Sequence, residues 1–316
     1  MSRKPRLLLN AEALVDNYQL LSNRSTTETA AVIKAHAYGL GVEWVVPTLR
    51  EGGCQTFFVA YPEEGVRVRG LAPEATIYVF HGLSPSTLAL FHAHRLRPCL
   101  NTREALELAA GQKLAPAVHV DTGMHRLGLS IEEVAETALL ACAPSLLMSH
   151  LVASDQPESP LNGEQLAQFS DWASSLAEPI PRSLANTGGI FLGPAYHFEV
   201  TRPGIGLYGG SPDPSCRVPV RPVASWHAPV LMVQKVHAGE TVGYGASWRA
   251  DRDRTIATCA TGYADGLLRS LGNRWCAELA GAYCPLVGRI SMDLIAVDVT
   301  EVIESGYHVG TSDWVE

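Results

Sequence analysis

The chain has 316 residues, of which 47% are apolar and 18% are charged, and it carries a formal net charge of −8. This composition fits one large domain or two medium ones, and the acidic balance, with no long run of Lys or Arg, argues against nucleic acid or an anionic membrane as the main partner. No apolar run approaches the roughly 18 residues of a membrane helix or resembles the core of a signal peptide, so we expect a cytoplasmic protein with a small-molecule partner.

Short β-rich runs alternate with helical patterns from residue 30 to about residue 202. One helical pattern covers Ser130–Cys142, where a serine precedes apolar residues at helical spacing. Parallel strands joined by helical crossovers bury both faces of their sheet, so eight β/α units in a row predict a (β/α)8 TIM-type barrel, with an open doubly wound sheet as the alternative. The predicted strands are Ala30–Lys34, Thr56–Tyr61, Ala75–Phe80, Arg97–Leu100, Pro116–Asp121, Ser145–Leu151, Arg182–Asn186 and His197–Arg202.

The sequence pattern changes after Tyr208. Ser211–Pro222 is rich in Pro, Ser and Arg and is typical of a linker. The Val/Ile-rich runs beyond it are separated by turns that contain glycine, which predicts a mostly-β domain. We therefore expect a barrel domain over residues 1–219 and a β domain over residues 220–316. The predicted strands of the β domain are Pro229–Val236, Thr255–Thr261, Pro285–Ile290 and Leu294–Val299.

Polar side chains lie at the ends of several predicted barrel strands. The active site of a TIM-type barrel is built at the carboxyl ends of its strands. Taken singly, each such residue is more often solvated or hydrogen-bonded for structural reasons, but several at one edge indicate a functional site. These strand-end residues are Lys34, Asp121 with Arg126 just beyond it, His150, Asn186 and Arg202.

Two glycine-rich loops follow the last two barrel strands, at 186–189 and 202–206. Glycines let backbone N–H groups approach an anion, and phosphate sites in this fold commonly use these two loops. The alternative is that the glycines only form tight turns. A lysine that faces a phosphate site suggests pyridoxal 5′-phosphate (PLP), because Lys34 could hold the aldehyde as an imine while the loops hold the phosphate.

Two longer motifs make a family resemblance clear. Ala31–Gly39, which reads AVIKAHAYG, and Val120–Gly128, which reads VDTGMHRLG, resemble signature sequences of the alanine racemases. The resemblance covers nearly the whole chain in the order of the family. It continues through Ser149-His150, Arg202–Ile205, Val242–Gly245, Gly262–Gly266 and Gly288–Asp293.

The resemblance implies a PLP-dependent isomerase that interconverts L- and D-alanine. It implies a homodimer in which the β domain of the partner completes each active site. Lys34 would be the Schiff-base lysine and the base for the D-side proton, and Tyr244 from the other subunit would be the base for the L-side proton. A tyrosine of ordinary pKa, about 10, is a poor base at neutral pH, and His150 and Arg202 would form the polar chain that assists it.

The resemblance also assigns the rest of the site. Arg202 would face the pyridine nitrogen of the cofactor, and Arg126 would contact its phenol oxygen beside the substrate. Asn186 belongs to the cofactor loops. The expected phosphate contacts are Tyr38, Thr187, Gly204 and Ile205, and the expected residues at the substrate end and entrance are Met292, Asp293 and Tyr263.

Two features depart from the family pattern. Many members have a lysine, commonly carbamylated, two residues before the aspartate of Asp121-Thr122-Gly123, where this chain has His119. A neutral His119 could accept a hydrogen bond from Arg126, a bound anion could replace the carbamate, or the histidine could be an ordinary hydrogen-bonded strand residue. The family also continues past the equivalent of Glu316, so we expect a shortened β domain that lacks a phosphate-binding tyrosine.

Three rival functions share these motifs. They are a racemase of broader or different small amino-acid specificity, such as serine, a PLP-binding or PLP-carrier protein without catalysis, and a decarboxylase of related architecture. The β-domain motifs disfavour the last two. A further alternative is a PLP-binding protein whose activity is reduced by the short C-terminus. The sequence leaves open a role in cell-wall synthesis or in D-alanine catabolism. Seven cysteines without a Cys-x-x-Cys pair favour reduced thiols, and no metal site is predicted.

Overall fold

The computed structural model describes residues 3–134, 136–212 and 218–316. The chain forms two compact units, Asn10–Val223 and a second that combines Ala224–Glu316 with the residues up to Leu9. The sequence placed the start of the chain in the first domain, whereas strand Arg6–Leu9 pairs antiparallel with the start of strand Ala224–Val236. Of the predicted linker Ser211–Pro222, residues 213–217 lie outside the described residues.

The first unit is a parallel β barrel. Seven strands pair in sequence order, and the eighth pairs parallel with Glu28–Thr29, just before the first strand. Hydrogen bonds from Ala30 N to Thr201 O (2.9 Å) and from Arg202 N to Ala185 O (2.8 Å) join the eighth strand to both its neighbours. The predicted (β/α)8 barrel is thereby confirmed over an open sheet. The strands are Ala31–Val32, Thr56–Val59, Thr76–Val79, Arg97–Leu100, Ala117–His119, Leu146–Met148, Arg182–Ser183 and Val200–Thr201.

Alternating side chains of these strands form two separate cores. Phe57 and Ile77 belong to the large cluster that includes the surrounding helices, whereas their neighbours Phe58 and Tyr78 belong to a smaller cluster inside the barrel. The rings of Phe58 and Tyr78 stack with their centroids 4.8 Å apart. Successive strand residues point to opposite faces, so apolar residues at consecutive positions fill both cores and bury both faces of the parallel sheet.

Helices surround the barrel, and their ends follow local capping rules. Asn10 Oδ1 accepts a hydrogen bond from Ala13 N (2.9 Å) at the start of the first helix. The helix predicted over Ser130–Cys142 is shorter: a 3-10 turn covers Ile131–Glu133 and the helix covers Glu136–Cys142, with residue 135 outside the described part. The α-helices are Ala11–Ser25, Val42–Glu51, Pro62–Leu71, Leu88–Ala93, Arg103–Ala109, Glu136–Cys142, Pro160–Ser174 and Thr187–Leu192, and further 3-10 turns cover Pro194–Tyr196 and Ile205–Tyr208.

The second unit confirms the predicted mostly-β domain. Its five-stranded sheet packs over a buried core that includes Val230, Ala257 and Val297. Its strands are Arg6–Leu9, Ala224–Val236, Arg254–Cys259, Ile295–Asp298 and Trp314–Val315, with hairpins Thr241–Val242/Trp248–Arg249 and Cys276–Leu279/Ala282–Pro285 and one helix, Thr300–Glu304. Within the described ranges, no helix is both long and apolar enough to cross a membrane.

The strand predicted at Pro285–Ile290 is wrong. Pro285 ends strand Ala282–Pro285, which follows a two-residue turn at Ala280 and Gly281 with φ of 53° and 79°. Two positive φ values in a two-residue turn match the right-handed twist of a hairpin, so the turn sets the register of this pair. The sequence signal of the turn is weak, because alanine seldom adopts positive φ.

Candidate active site

A cavity of about 580 Å³ lies in the barrel unit and is lined by residues that follow its strands. It brings together many residues predicted from separate parts of the sequence. It also contains side chains that the sequence did not single out, among them Phe80 and His81 after the third strand. The predicted residues in its wall are Lys34, Tyr38, His119, Arg126, His150, Asn186, Thr187, Arg202, Gly204 and Ile205.

Lys34 begins a left-handed helical turn, Lys34–Tyr38, and does not end a strand as predicted. The four residues after Lys34 all have φ between 53° and 56°. Such backbone is unfavourable for residues with a side chain, by about 1–2 kcal/mol each. A hydrogen bond from Ala37 N to Ile33 O (2.9 Å) holds the turn. The strained turn brings both Lys34 and Tyr38 to the cavity, which gives a reason for its cost.

The amine of Lys34 has a shifted protonation equilibrium. Partial burial lowers its pKa below the ordinary value, the charge of Arg126 lowers it further, and Glu64 acts in the opposite direction. Its Nζ lies 5.8 Å from the centroid of the Phe80 ring. A lowered pKa enlarges the neutral fraction of the amine, which is the form that attacks a carbonyl or accepts a proton.

Thr187 joins the two glycine-rich loops. Its Oγ1 accepts hydrogen bonds from Gly204 N (3.0 Å) and Gly206 N (3.2 Å). Asn186 Oδ1 accepts a hydrogen bond from Gly189 N (2.9 Å) and caps the helix that begins at Thr187. The side chains predicted at these loops therefore hold the loop backbones together in one wall of the cavity.

The same wall offers unused backbone donors. Among the described residues, the N–H groups of Thr187, Gly188 and Ile205 have no hydrogen-bond acceptor. A Cβ at Gly204 would overlap the hydroxyl of Tyr38, so any other residue at this position would displace the side chain of the tyrosine. Free N–H groups beside a tyrosine hydroxyl fit the phosphate of a PLP-like ligand.

Arg202 is a buried cation at the cavity, with only 2% of its surface exposed. It donates hydrogen bonds to Ser183 Oγ and to Ser149 O (2.6 Å), and burial lowers its pKa to about 10. Burial and the charge of Arg202 lower the pKa of His150 to about 3, so His150 is neutral at pH 7. No direct hydrogen bond joins His150 to Arg202 in the described part. A buried cation without a carboxylate partner favours an acceptor or anion in the cavity.

Arg126 lies on a loop that Asp121 organises. The carboxylate of Asp121 accepts hydrogen bonds from the backbone N–H groups of Gly123, Met124 and His125, each at 2.8 Å. Burial alone would raise the pKa of Asp121, but these donors lower it below its ordinary value. The predicted strand-end Asp121 thus acts as a loop cap, and the side chain that reaches the cavity wall is Arg126.

His119 is hydrogen-bonded to a residue that the sequence interpretation missed. Its Nδ1 lies 2.8 Å from Oδ1 of Asn101, and both side chains are buried. Asn101 directly follows strand Arg97–Leu100, so the strand-end rule that selected the other residues would have found it. His119 therefore lies in a defined polar contact inside the barrel.

In the second unit, the three family motifs adjoin one another. Tyr263 N donates to Ser291 O (3.1 Å), and Ala264 N donates to Met292 O (3.0 Å). A Cβ at Gly288 would lie 2.8 Å from Val242 O. We call residues 242–245, 262–266 and 288–293 the three-motif surface. Its predicted site residues are all exposed, namely Tyr244, Tyr263, Met292 and Asp293.

Comparisons with known proteins agree with these observations. The family model described as the N-terminal domain of alanine racemase matches residues 9–212, and the model of the C-terminal domain matches residues 223–316. The chain is 44% identical to an alanine racemase of Methylobacterium nodulans, over 95% of this chain and 84% of that protein.

Solved structures give the same result. An alanine racemase of Bartonella henselae, described as having covalently bound pyridoxal phosphate, is 34% identical and superposes with a TM-score of 0.90 over 100% of this chain and 90% of that one. A biosynthetic alanine racemase of Pseudomonas aeruginosa is also 34% identical, with a TM-score of 0.91 and the same coverage. The sequence motifs, the barrel, the β unit and these matches together establish that the chain belongs to the alanine racemase family.

Proposed function

We propose that this protein interconverts L- and D-alanine and that it uses PLP held on Lys34. The observation that carries the proposal is the barrel cavity. A lysine of lowered pKa and the unused N–H donors of two glycine-rich loops all line this one cavity. Relatives named alanine racemase, and one described with covalently bound pyridoxal phosphate, support the same substrate and cofactor. When bound, PLP stabilises the negative charge left on the α carbon of an amino acid after its proton is removed.

Lys34 supplies the covalent attachment and one of two bases. Its lowered pKa increases the fraction of neutral amine at physiological pH, and a neutral amine can take the α-proton from the face that it meets. The loops around Thr187, Gly204 and Ile205, with the hydroxyl of Tyr38, would bind the phosphate. These residues fix the position of the cofactor while Lys34 exchanges protons.

Inversion of the α carbon requires a second proton donor on the opposite face. We assign this role to Tyr244 on the three-motif surface, provided by a second copy of the chain in a homodimer. With 71% of its surface exposed, Tyr244 is available to a second subunit. Arg202 and the neutral His150 would give the phenol group of Tyr244 a polar environment within the assembled site.

The remaining side chains would hold the substrate and its surroundings. Arg126 carries the positive charge that a carboxylate or the cofactor phenol oxygen requires. Asn186 keeps the cofactor loop in place through its helix cap. On the three-motif surface, Met292 and Asp293 would meet the substrate end and Tyr263 the entrance.

A direct assay tests the proposal. Purified protein loaded with PLP should convert L-alanine into D-alanine, and in deuterated water the product should carry deuterium at the α carbon. A hydroxyl on the substrate changes selectivity only modestly, by about 100-fold in kcat/KM, so serine is the matched competitor. Equal kcat/KM for alanine and serine would favour a broad racemase, and PLP binding without deuterium exchange would contradict the proposal.

A further inference from the structure

The hydrogen-bond partner of one ring nitrogen of His119 determines whether that nitrogen is protonated. Nδ2 of Asn101 donates to Phe80 O (2.7 Å) and to Cys99 O (2.9 Å), which uses both amide hydrogens. Oδ1 of Asn101, 2.8 Å from Nδ1 of His119, can only accept. Nδ1 of His119 must therefore carry a hydrogen, and in the neutral ring Nε2 has a free lone pair.

The surroundings of His119 keep its ring neutral. Burial lowers its pKa to about 4, the charges of Arg202 and Arg126 act in the same direction, and Asp121 opposes them. His150, which also lines the cavity, is neutral at pH 7 because its pKa is lowered to about 3. At pH 7, Nε2 of His119 is therefore a hydrogen-bond acceptor within the influence of the charges of Arg202 and Arg126, and no described side chain donates to it.

The loop that carries Arg126 is anchored at His119 itself. Leu129 N donates to His119 O (2.9 Å), and Asp121 N donates to Leu129 O (2.8 Å), so the loop begins and ends beside this histidine. Gly128 permits that contact, because an added Cβ would lie 2.8 Å from Asp121 N. The guanidinium of Arg126 has five N–H donors, lines the same cavity and has no acceptor among the described residues.

We propose that His119 is a positioning residue: when PLP is bound, its Nε2 accepts a hydrogen bond from the guanidinium of Arg126, a bond that the two side chains do not form among the described residues here. Asn101 fixes the tautomer that makes this possible. The contact holds Arg126 beside the cofactor without the negative charge of a carbamylated lysine. The inference rests on the proposed function for the role of the cofactor. The tautomer itself does not depend on catalysis.

The first test measures the tautomer. Nitrogen NMR of histidine-labelled protein with PLP at pH 7 should show Nδ1 of His119 protonated and Nε2 unprotonated. The resonance is identified by its loss in His119→Phe or, if that variant does not fold, by through-space contact of the Nδ1 proton with the side chain of Asn101. A proton on Nε2, in the neutral or the doubly protonated ring, would overturn the proposal.

The second test is a double-mutant cycle on PLP binding to the apoprotein. Losing one hydrogen bond to a charged group weakens binding by about 10-fold, so His119→Phe and Arg126→Leu should each have an effect of this size. The double variant should be no weaker than the weaker single variant, because both substitutions remove the same contact. The exposed His92, which bonds Gln112, is the control, and His92→Phe should leave the affinity unchanged.

The cycle separates the possible failures. If the two effects multiply in the double variant, His119 supports the barrel without holding Arg126, and the positioning role is wrong. If wild-type protein binds no PLP or does not exchange the α-proton of alanine, the proposed function fails first. A tautomer with Nδ1 protonated together with non-multiplying effects would support both the contact and its purpose.

Discussion

The two units of the chain present their predicted site residues in opposite ways. In the barrel unit these residues line one cavity, and Arg202 within it is only 2% exposed. On the three-motif surface of the β unit, Tyr244 is 71% exposed and Met292 is 54% exposed. Electrostatic groups act strongly only when water is excluded. The barrel therefore holds its predicted site residues in a largely desolvated cavity, whereas the predicted site residues of the β unit would be desolvated only if another surface covered them.

Removal of Lys34 should have the largest effect. Lys34→Ala deletes both the covalent attachment and one base, so racemisation should fall by at least about 1,000-fold. The borohydride-reducible absorbance of the bound cofactor should disappear as well. Lys235→Ala, at an exposed position in the β unit, is the matched control and should keep both signals. Covalently bound cofactor at wild-type stoichiometry in Lys34→Ala would contradict the assignment of Lys34 as the residue that binds PLP.

Tyr244→Phe tests the proposed role of the three-motif surface of the β unit. Loss of one base should reduce racemisation by about 100- to 10,000-fold while PLP remains bound. If Tyr244 acts on the partner's cavity, mixing Lys34→Ala with Tyr244→Phe subunits should restore about a quarter of the activity, since half of the dimers are hybrids with one intact site of two. No recovery after demonstrated subunit exchange would show that the tyrosine does not act across subunits.

A pair of glycine substitutions compares close packing at the cavity with open space on the same unit. A Cβ at Gly188 would overlap the backbone oxygen of Ser154, whereas one at Gly163 would meet nothing within 4 Å. Gly188→Ala should lower the free energy of unfolding by about 1–3 kcal/mol and weaken PLP retention. Gly163→Ala, inside helix Pro160–Ser174, should be neutral or stabilising by up to about 1 kcal/mol. Urea denaturation and dialysis of bound PLP measure the two effects, and equal results for both variants would contradict the importance of close packing at Gly188.

The sequence predicted the barrel well and its strand ends poorly. Apolar runs identify each strand, because both faces of a parallel sheet are buried. The observed strands are mostly shorter, as with Arg182–Ser183 against the predicted Arg182–Asn186, since the last residues turn out of the sheet to build the cavity. The pairing of Arg6–Leu9 with residues of Ala224–Val236 joins distant segments, which no local pattern records.

The candidate site shows a similar division. Polar residues at strand ends were found by a simple rule, which Asn101 also satisfies. The left-handed turn after Lys34 could not be predicted, because nothing in its residue types favours positive φ. The protonation state of His119 could not be predicted from the sequence either. It depends on which carbonyl oxygens accept hydrogen bonds from the side-chain amide of Asn101.

The smallest expected effect concerns the pH at which Lys34 captures PLP. The residues that shift the pKa of Lys34 should all lie in the barrel unit. Burial lowers the pKa of this amine, Arg126 lowers it further and Glu64 raises it. Only the neutral amine captures an aldehyde. A lowered pKa therefore moves the midpoint of PLP capture by the apoprotein to a pH below that of an ordinary lysine.

Two substitutions of opposite charge should move that midpoint in opposite directions. Arg126→Leu removes a positive neighbour, so protonation of Lys34 becomes easier and the midpoint moves to higher pH. Glu64→Gln removes a negative neighbour and moves it to lower pH, while the amide oxygen can still accept from Ala60 N, now 2.8 Å from the carboxylate. Tyr244→Phe changes no charge and should leave the midpoint in place. Because the capture rate is read on the apoprotein, loss of racemisation in these variants does not obscure the result, and a shift caused by Tyr244→Phe alone would show that the barrel does not set the reactivity of its own lysine.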